Sequence, residues 1–189
     1  MGLPNFDRTW SLFLDRDGVL NRRLPGDYVR TPEGFEWLPG VREALASLAE
    51  VFGHILVVTN QQGIGKGLMS EADLAAVHEV MLREATAAGG RIDGVYHCPD
   101  LAAARPNCRK PAPALARQAQ RDFPAIDFRR SVMVGDSLSD MEFGQRLGMF
   151  NVLVATKAED APAIAQAQAQ GLRLDLQVER LADFAALLP

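Results

Sequence analysis

Short apolar runs that stop abruptly in polar residues alternate along this chain with stretches patterned as helices. The runs are Ser11 to Leu14, His54 to Thr59, Ile92 to His97, Ser131 to Val134 and Phe150 to Val154. A continuous apolar run of this length, bounded by Gly, Pro or Asp, reads as a strand buried on both faces. Strands separated by helices cannot pair as hairpins, so the pattern predicts an α/β fold. A doubly wound, mostly parallel sheet carries helices on both faces.

The helices announce their own ends. Pro39 opens one that runs to about Glu50, with Val41, Leu45 and Leu48 on one face. Ser70, with Asp73 three residues on, is the predicted N-cap of a helix that runs to about Ala88 and stops at Gly89-Gly90. Pro113 starts another, which ends before Pro124. Further helices are expected from about Ser139 to Leu147, from about Pro162 and after Glu179, with a short strand near Leu172 to Leu176. Arg22 to Trp37, polar and rich in Gly and Pro, reads as an excursion beside the functional edge of the sheet. No repeat or linker interrupts the 189 residues, which predicts a single domain over 1–189.

Composition excludes several classes of function. At 48% hydrophobic and 23% charged, the chain is ordinary for a soluble protein. A net charge of −4 lacks the basic footprint of a nucleic-acid binder, although a local pocket for a small anion stays open. The apolar run after Trp10 is interrupted by Asp15, and no stretch reaches the roughly 18 apolar residues of a membrane span. A cytoplasmic monomer with no nucleic-acid or membrane partner is therefore expected. Cys98 and Cys108 are too few for a disulfide scaffold.

The chemistry lies where the strands end. The first run finishes in Asp15-Arg16-Asp17-Gly18, the second in Thr59-Asn60, and the fourth in Gly135-Asp136, with Asp140 a helical turn later. The loop after the third run carries Arg109-Lys110-Pro111. In a parallel sheet all of these ends share one edge, which is where α/β proteins bind ligands. Singly, each residue has a plainer role: Asp15-x-Asp17 as a polar turn, Thr59 as a strand-end cap, Lys110 as a solvated charge, Asp136 as a helix N-cap. Together they are three acids, a hydroxyl and an ammonium. Converging carboxylates repel unless a cation sits among them. Magnesium suits an all-oxygen set and keeps room for substrate phosphate. Thr59 and Lys110 suit the phosphate oxygens, which points to phosphoryl transfer.

Asp15-x-Asp17-Gly18-x-x-Asn21, Thr59-Asn60, Lys110 and Gly135-Asp136-x-x-x-Asp140 resemble, in order, the four motifs of the haloacid dehalogenase superfamily of phosphohydrolases. The resemblance spans most of residues 11 to 155 and implies its Rossmann-like sheet. It also implies that Asp15 is the nucleophile that forms an aspartyl-phosphate, and that Asp17 is the general acid and then base. Thr59 and Lys110 would hold the phosphoryl group. Mg2+ would be bound by the Asp15 carboxylate, the Asp17 backbone carbonyl and Asp136, with Asp140 orienting its neighbours. Only 44 residues separate Asp15 from Thr59, and 51 separate Thr59 from Lys110, so neither interval has room for a cap domain.

The local wording is narrower still. Phe13-Leu14-Asp15-Arg16-Asp17-Gly18, Asp27-Tyr28-Val29, Thr59-Asn60-Gln61-x-Gly63-Ile64, Tyr96-x-Cys98-Pro99 and Cys108-Arg109-Lys110-Pro111 resemble the D-glycero-D-manno-heptose 1,7-bisphosphate 7-phosphatases. Histidinol-phosphate phosphatases are near relatives. The resemblance implies a phosphosugar substrate, recognised by Arg109 and by a pocket of Asp27, Tyr28, Asn60, Gln61 and Gln62. A guanidinium also suits a second phosphate on its own merits. Members of that family carry a zinc loop of Cys-x-His and a later Cys-x-Cys. Here Asp100 and Pro106 stand at two of its four ligand positions, leaving Cys98 and Cys108, with His97 one residue off the pattern. A loop that keeps its shape without Zn2+ is predicted. The competing classes are a different small-molecule phosphatase, a receiver-type signalling module and a phosphosugar-binding protein without catalysis. The order Asp-x-Asp on strand one, then Thr on the next, disfavours a receiver.

Overall fold

In a computed structural model describing residues 2–156 and 158–188, strands and helices alternate along the chain as the sequence predicts. The strands are β1 (Ser11–Leu14), β2 (His54–Asn60), β3 (Gly94–Cys98), β4 (Ser131–Gly135), β5 (Phe150–Val154) and β6 (Leu176–Val178). They form one sheet in the order β3-β2-β1-β4-β5-β6, every pairing parallel. The order reverses at β1, which lies between β2 and β4. That reversal opens a crevice at the carboxyl ends of β1 and β4.

Strand alternation divides the core into two layers. Leu12, Leu14, Ile55, Val57, Val132 and Val134 face one side. There they meet α1 (Val41–Val51), α2 (Glu71–Ala87) and α6 (Leu181–Ala186). Phe13, Leu56, Val58, Met133 and Leu153 face the other, against α3 (Ala114–Asp122), α4 (Leu138–Leu147) and α5 (Ala161–Ala169). Between β1 and β2 the chain makes only a 3-10 turn, Pro32–Gly34, and α1, and between β2 and β3 only α2. The helix edges follow their signals. Ser70 and Asp73 form a capping box on α2, and Gly89, at φ +83°, lies just beyond its end.

Two strands start later than expected, each because a polar side chain takes a backbone group, and the plainer helix-cap role of Asp136 is filled by its neighbour. β3 starts at Gly94, since the Asp93 carboxylate accepts from Ile55 N at 2.7 Å. β6 starts only at Leu176, because Asp175 Oδ2 accepts from Asn151 N at 2.8 Å while Leu172 and Leu174 pack on the second core layer. The N-cap of α4 is Ser137, not Asp136. Its backbone N–H donates to Asp140 Oδ2 at 3.1 Å, so Asp136 keeps its position at the sheet edge.

The two cysteines pair with each other. A Cys98–Cys108 disulfide closes the loop after β3 across a separation of 10 residues. Sulfurs so joined offer no thiolate to a metal. His97 turns away from them, with Nε2 2.8 Å from Glu71 Oε2. Inside the loop, Asp100 Oδ2 accepts from Cys108 N at 2.9 Å. The disulfide thus clips one loop, the one that leads directly into Arg109 and Lys110.

Candidate active site

Asp15 is the first residue past β1, and its N–H donates to Val134 O on β4 at 2.9 Å, so the ladder itself aims it at the crevice. Lys110 reaches the same point from the disulfide-clipped loop. Asn60, at the end of β2, holds that loop by accepting from Lys110 N at 2.9 Å and donating to Lys110 O at 3.3 Å. The Lys110 ammonium, with 1% of its side chain exposed, lies 2.9 Å from Asp15 Oδ1 and 2.6 Å from Asp140 Oδ1. It also donates to Val58 O at 2.7 Å. Burial alone would lower the Lys110 pKa, but the two carboxylates outweigh it and hold the amine above its usual value. Burial pushes the Asp15 carboxyl up to about 6 despite Lys110, with Asp140 and Asp17 adding to the rise.

Asp17 sits in a different environment. Arg16 Nη2 donates to both of its oxygens, at 3.0 and 2.9 Å, Asn21 Nδ2 donates at 3.0 Å and Gln61 Nε2 at 2.8 Å. Burial would raise its pKa, but the Arg16 charge and these donors prevail and hold it below the usual carboxylate range. Two carboxylates two residues apart are thereby driven in opposite directions, Asp15 up by burial and Asp17 down by Arg16 and its other donors.

One carboxylate oxygen from each of Asp15, Asp136 and Asp140 falls within 4.8 Å of the others. The donors are all oxygen, and carboxylates this close favour a small hard cation between them, so the set fits Mg2+. Asp140 spends Oδ1 on Lys110 and Oδ2 on the Ser137 N–H and hydroxyl, the latter at 2.6 Å. That leaves Asp15 and Asp136 as the side chains suited to bind the metal. Gly18 makes the approach possible: at φ +94°, it lies where a Cβ would fall 2.0 Å from Asp136 Oδ2.

These groups line a cleft of about 420 Å³. Of the residues expected there from sequence, Asp15, Asp17, Asp27, Tyr28, Thr59, Asn60, Gln62, Arg109, Lys110 and Asp136 all line it. Gln61 does not. Its side chain is fully buried behind the cleft, where Nε2 bridges Asp17 and Thr59 Oγ1, the latter at 2.9 Å. Gln61 N also extends the β2 ladder to Cys98 O, which puts its side chain on the same side as Thr59. Its amide thus ties Asp17 to Thr59 from behind the cleft wall. Two cations that the sequence did not single out, Arg23 and Lys66, also line the cleft, with Lys66 Nζ 5.3 Å from the Tyr28 ring centroid. Their signal was basic residues within two Gly-containing loops beside the site.

A parallel sheet with paired acids, a hydroxyl and a buried lysine at its switch point defines a class, and the comparisons agree. Residues 107–184 match the family model described as HAD-hyrolase-like. The chain is a haloacid dehalogenase-like hydrolase. It is 43% identical over 176 residues to a D-glycero-alpha-D-manno-heptose-1,7-bisphosphate 7-phosphatase of Mycobacterium bovis, covering 93% of this chain and 90% of that one. It is 39% identical over 144 residues to a D-glycero-beta-D-manno-heptose-1,7-bisphosphate 7-phosphatase of Rhodopseudomonas palustris, covering 72% and 78%. The crystal structure of a D,D-heptose 1,7-bisphosphate phosphatase from B. bronchiseptica, complexed with magnesium and phosphate, superposes with a TM-score of 0.82 at 32% identity, over 94% of this chain and 96% of that one. Within the class, the chain belongs to the heptose 1,7-bisphosphate 7-phosphatase family and is a phosphoric monoester hydrolase.

Proposed function

We propose that this enzyme removes the 7-phosphate of D-glycero-D-manno-heptose 1,7-bisphosphate by way of a phosphorylated Asp15. The observation that carries the proposal is the buried Lys110, 2.9 Å from Asp15 at the floor of a cleft that Asp17, Thr59 and Asp136 also line. Asp15 attacks phosphorus, and the ester C–O oxygen leaves with the proton of Asp17. Asp17 then takes a proton from water as that water displaces the phosphoryl group from Asp15. Splitting the reaction gives each step a nucleophile already in place. Asp17 is ionised in the free enzyme and takes up the proton it donates from solvent as substrate binds, an uptake favoured by the like charge of the phosphate arriving beside it. Thr59 Oγ1 and Lys110 Nζ hold the non-bridging oxygens.

Mg2+ would be held by Asp15, the Asp17 carbonyl and Asp136, and would supply charge neutralisation between phosphate and carboxylates. The magnesium and phosphate in the B. bronchiseptica relative support this assignment. Arg109, at the cleft rim, takes the second phosphate of the substrate, as a planar guanidinium is suited to do. Zinc has no part in this scheme. The enzyme acts as a cytoplasmic monomer on a small phosphosugar; among the described residues no helix is long and apolar enough to cross a membrane.

A steady-state panel in Mg2+ tests the substrate. The expected result is a kcat/KM for one anomer of the heptose 1,7-bisphosphate at least 10-fold above that for histidinol phosphate, since a site built for a second phosphate penalises its loss. Equal or better turnover of histidinol phosphate would overturn the heptose assignment, while leaving the phosphatase chemistry intact.

A further inference from the structure

Arg16 lies between the two catalytic aspartates, yet its side chain takes no part in the chemistry described so far. Asp15 and Asp17 face the cleft, whereas Arg16 turns inward and is fully buried. A buried guanidinium is costly without partners. Nη2 bonds both oxygens of Asp17, at 3.0 and 2.9 Å, and Nη1 lies 3.1 Å from Nε2 of His78, a buried residue of α2. Arginine can only donate, so His78 Nε2 accepts, and the imidazole is neutral with its proton on Nδ1. Burial, then Arg16 itself, pushes the His78 pKa down to about 3, so this acceptor persists across the physiological range.

We propose that Arg16 and His78 are positioning residues for the proton transfer by Asp17: His78 braces the guanidinium, and the guanidinium fixes the rotation of the Asp17 carboxylate toward the leaving oxygen. The pair joins α2 to the β1 loop, so the angle of that carboxylate is set by the packed helix. One guanidinium nitrogen close to both oxygens, with Asn21 Nδ2 on Oδ1 and Gln61 Nε2 on Oδ2, leaves the Asp17 carboxylate a single favoured rotation. Buried ion pairs are weak sources of stability, which leaves orientation as the clearer use of this one. The proposal rests on Asp17 being the proton donor to the leaving group.

The leaving group separates positioning from mere structure. A sugar alkoxide needs a proton to depart, while p-nitrophenolate does not. kcat/KM reports on the first step, in which the leaving group departs, for both substrates. Three variants are compared with wild type on heptose 1,7-bisphosphate and on p-nitrophenyl phosphate. His78→Met removes the acceptor at similar volume, His78→Gln keeps one, and Asp17→Asn removes the donor outright.

His78→Met is expected to lower kcat/KM on the sugar phosphate about 10-fold or more, part of the 10²–10⁴ that proton transfer supplies. It should leave p-nitrophenyl phosphate within about 3-fold of wild type, and His78→Gln should recover most of the loss. Equal losses on both substrates, or none on either, would overturn the proposal. Asp17→Asn should show the same selectivity more strongly. If it depresses both substrates alike, the assignment of Asp17 as donor fails, and the positioning role fails with it.

Discussion

Replacing Lys110 by Met tests how the site is held together. The ammonium is the buried cation shared by Asp15 and Asp140, and the side chains of Lys110 and Asp140 are 1% and 0% exposed. Removing one partner of a buried pair costs about 3–5 kcal/mol, because the remaining charge stays desolvated and unbalanced. In Lys110→Met two carboxylates are left facing each other, so the upper end of that range is expected at pH 8. The loss must also depend on pH, with a definite sign. Asp15 is already pushed up to about 6 with Lys110 present, and without that ammonium its carboxyl rises further above its unfolded value of about 3.9. Groups with a raised folded pKa destabilise the native state while ionised and are relieved as pH falls through that pKa. The deficit should therefore shrink between pH 8 and pH 5. Lys110 itself stays charged throughout this window, since its pKa is held above the usual value. Urea unfolding of both proteins in chelator, at pH 8 and pH 5, measures the gap. A deficit below about 1 kcal/mol at pH 8, or one that does not shrink on acidification, would refute the reasoning.

Two other predictions probe neighbouring parts. Gly18→Ala would place a methyl 2.0 Å from Asp136 Oδ2 at a φ of +94°, so the carboxylate must move. Activity should fall on the order of 10²-fold while the backbone costs only about 1–2 kcal/mol, checked by kcat at saturating Mg2+ alongside thermal melting. The Cys98–Cys108 bond spans 10 residues, for which loop-closure entropy gives about 2.7 kcal/mol. A dithiol reductant, or Cys98→Ser with Cys108→Ser, should lower urea stability by that order. KM for the bisphosphate should rise, because Arg109 and Lys110 follow Cys108 directly, and an unchanged KM would show the clip to be idle.

The strand-end residues were legible because a parallel sheet leaves little choice. Once the apolar runs are strands, Asp15, Thr59 and Asp136 must share one edge, and a loop from the neighbouring strand brings in Lys110. Side-chain direction was harder to read. Gln61 looked like a substrate contact, but the ladder runs one residue past the end of β2 and turns it behind Thr59. The roles of Arg16 and His78 depend on how α2 is rotated against β1, which no local pattern encodes. A spacing of ten positions between two cysteines says nothing of whether a loop folds back, so the disulfide is not legible in the sequence. The starts of β3 and β6 were displaced by Asp93 and Asp175, whose carboxylates accept backbone N–H groups from the next strand.

The central claim is that Asp15 carries the phosphoryl group between the two steps. Rapid acid quench of enzyme turning over heptose 1,7-bisphosphate in Mg2+, followed by peptide mass spectrometry, tests it directly. One added phosphoryl mass on the peptide containing Asp15, absent in Asp15→Asn, is the predicted result. A phosphoryl group found on another residue, or near-native turnover by Asp15→Asn, would contradict the account.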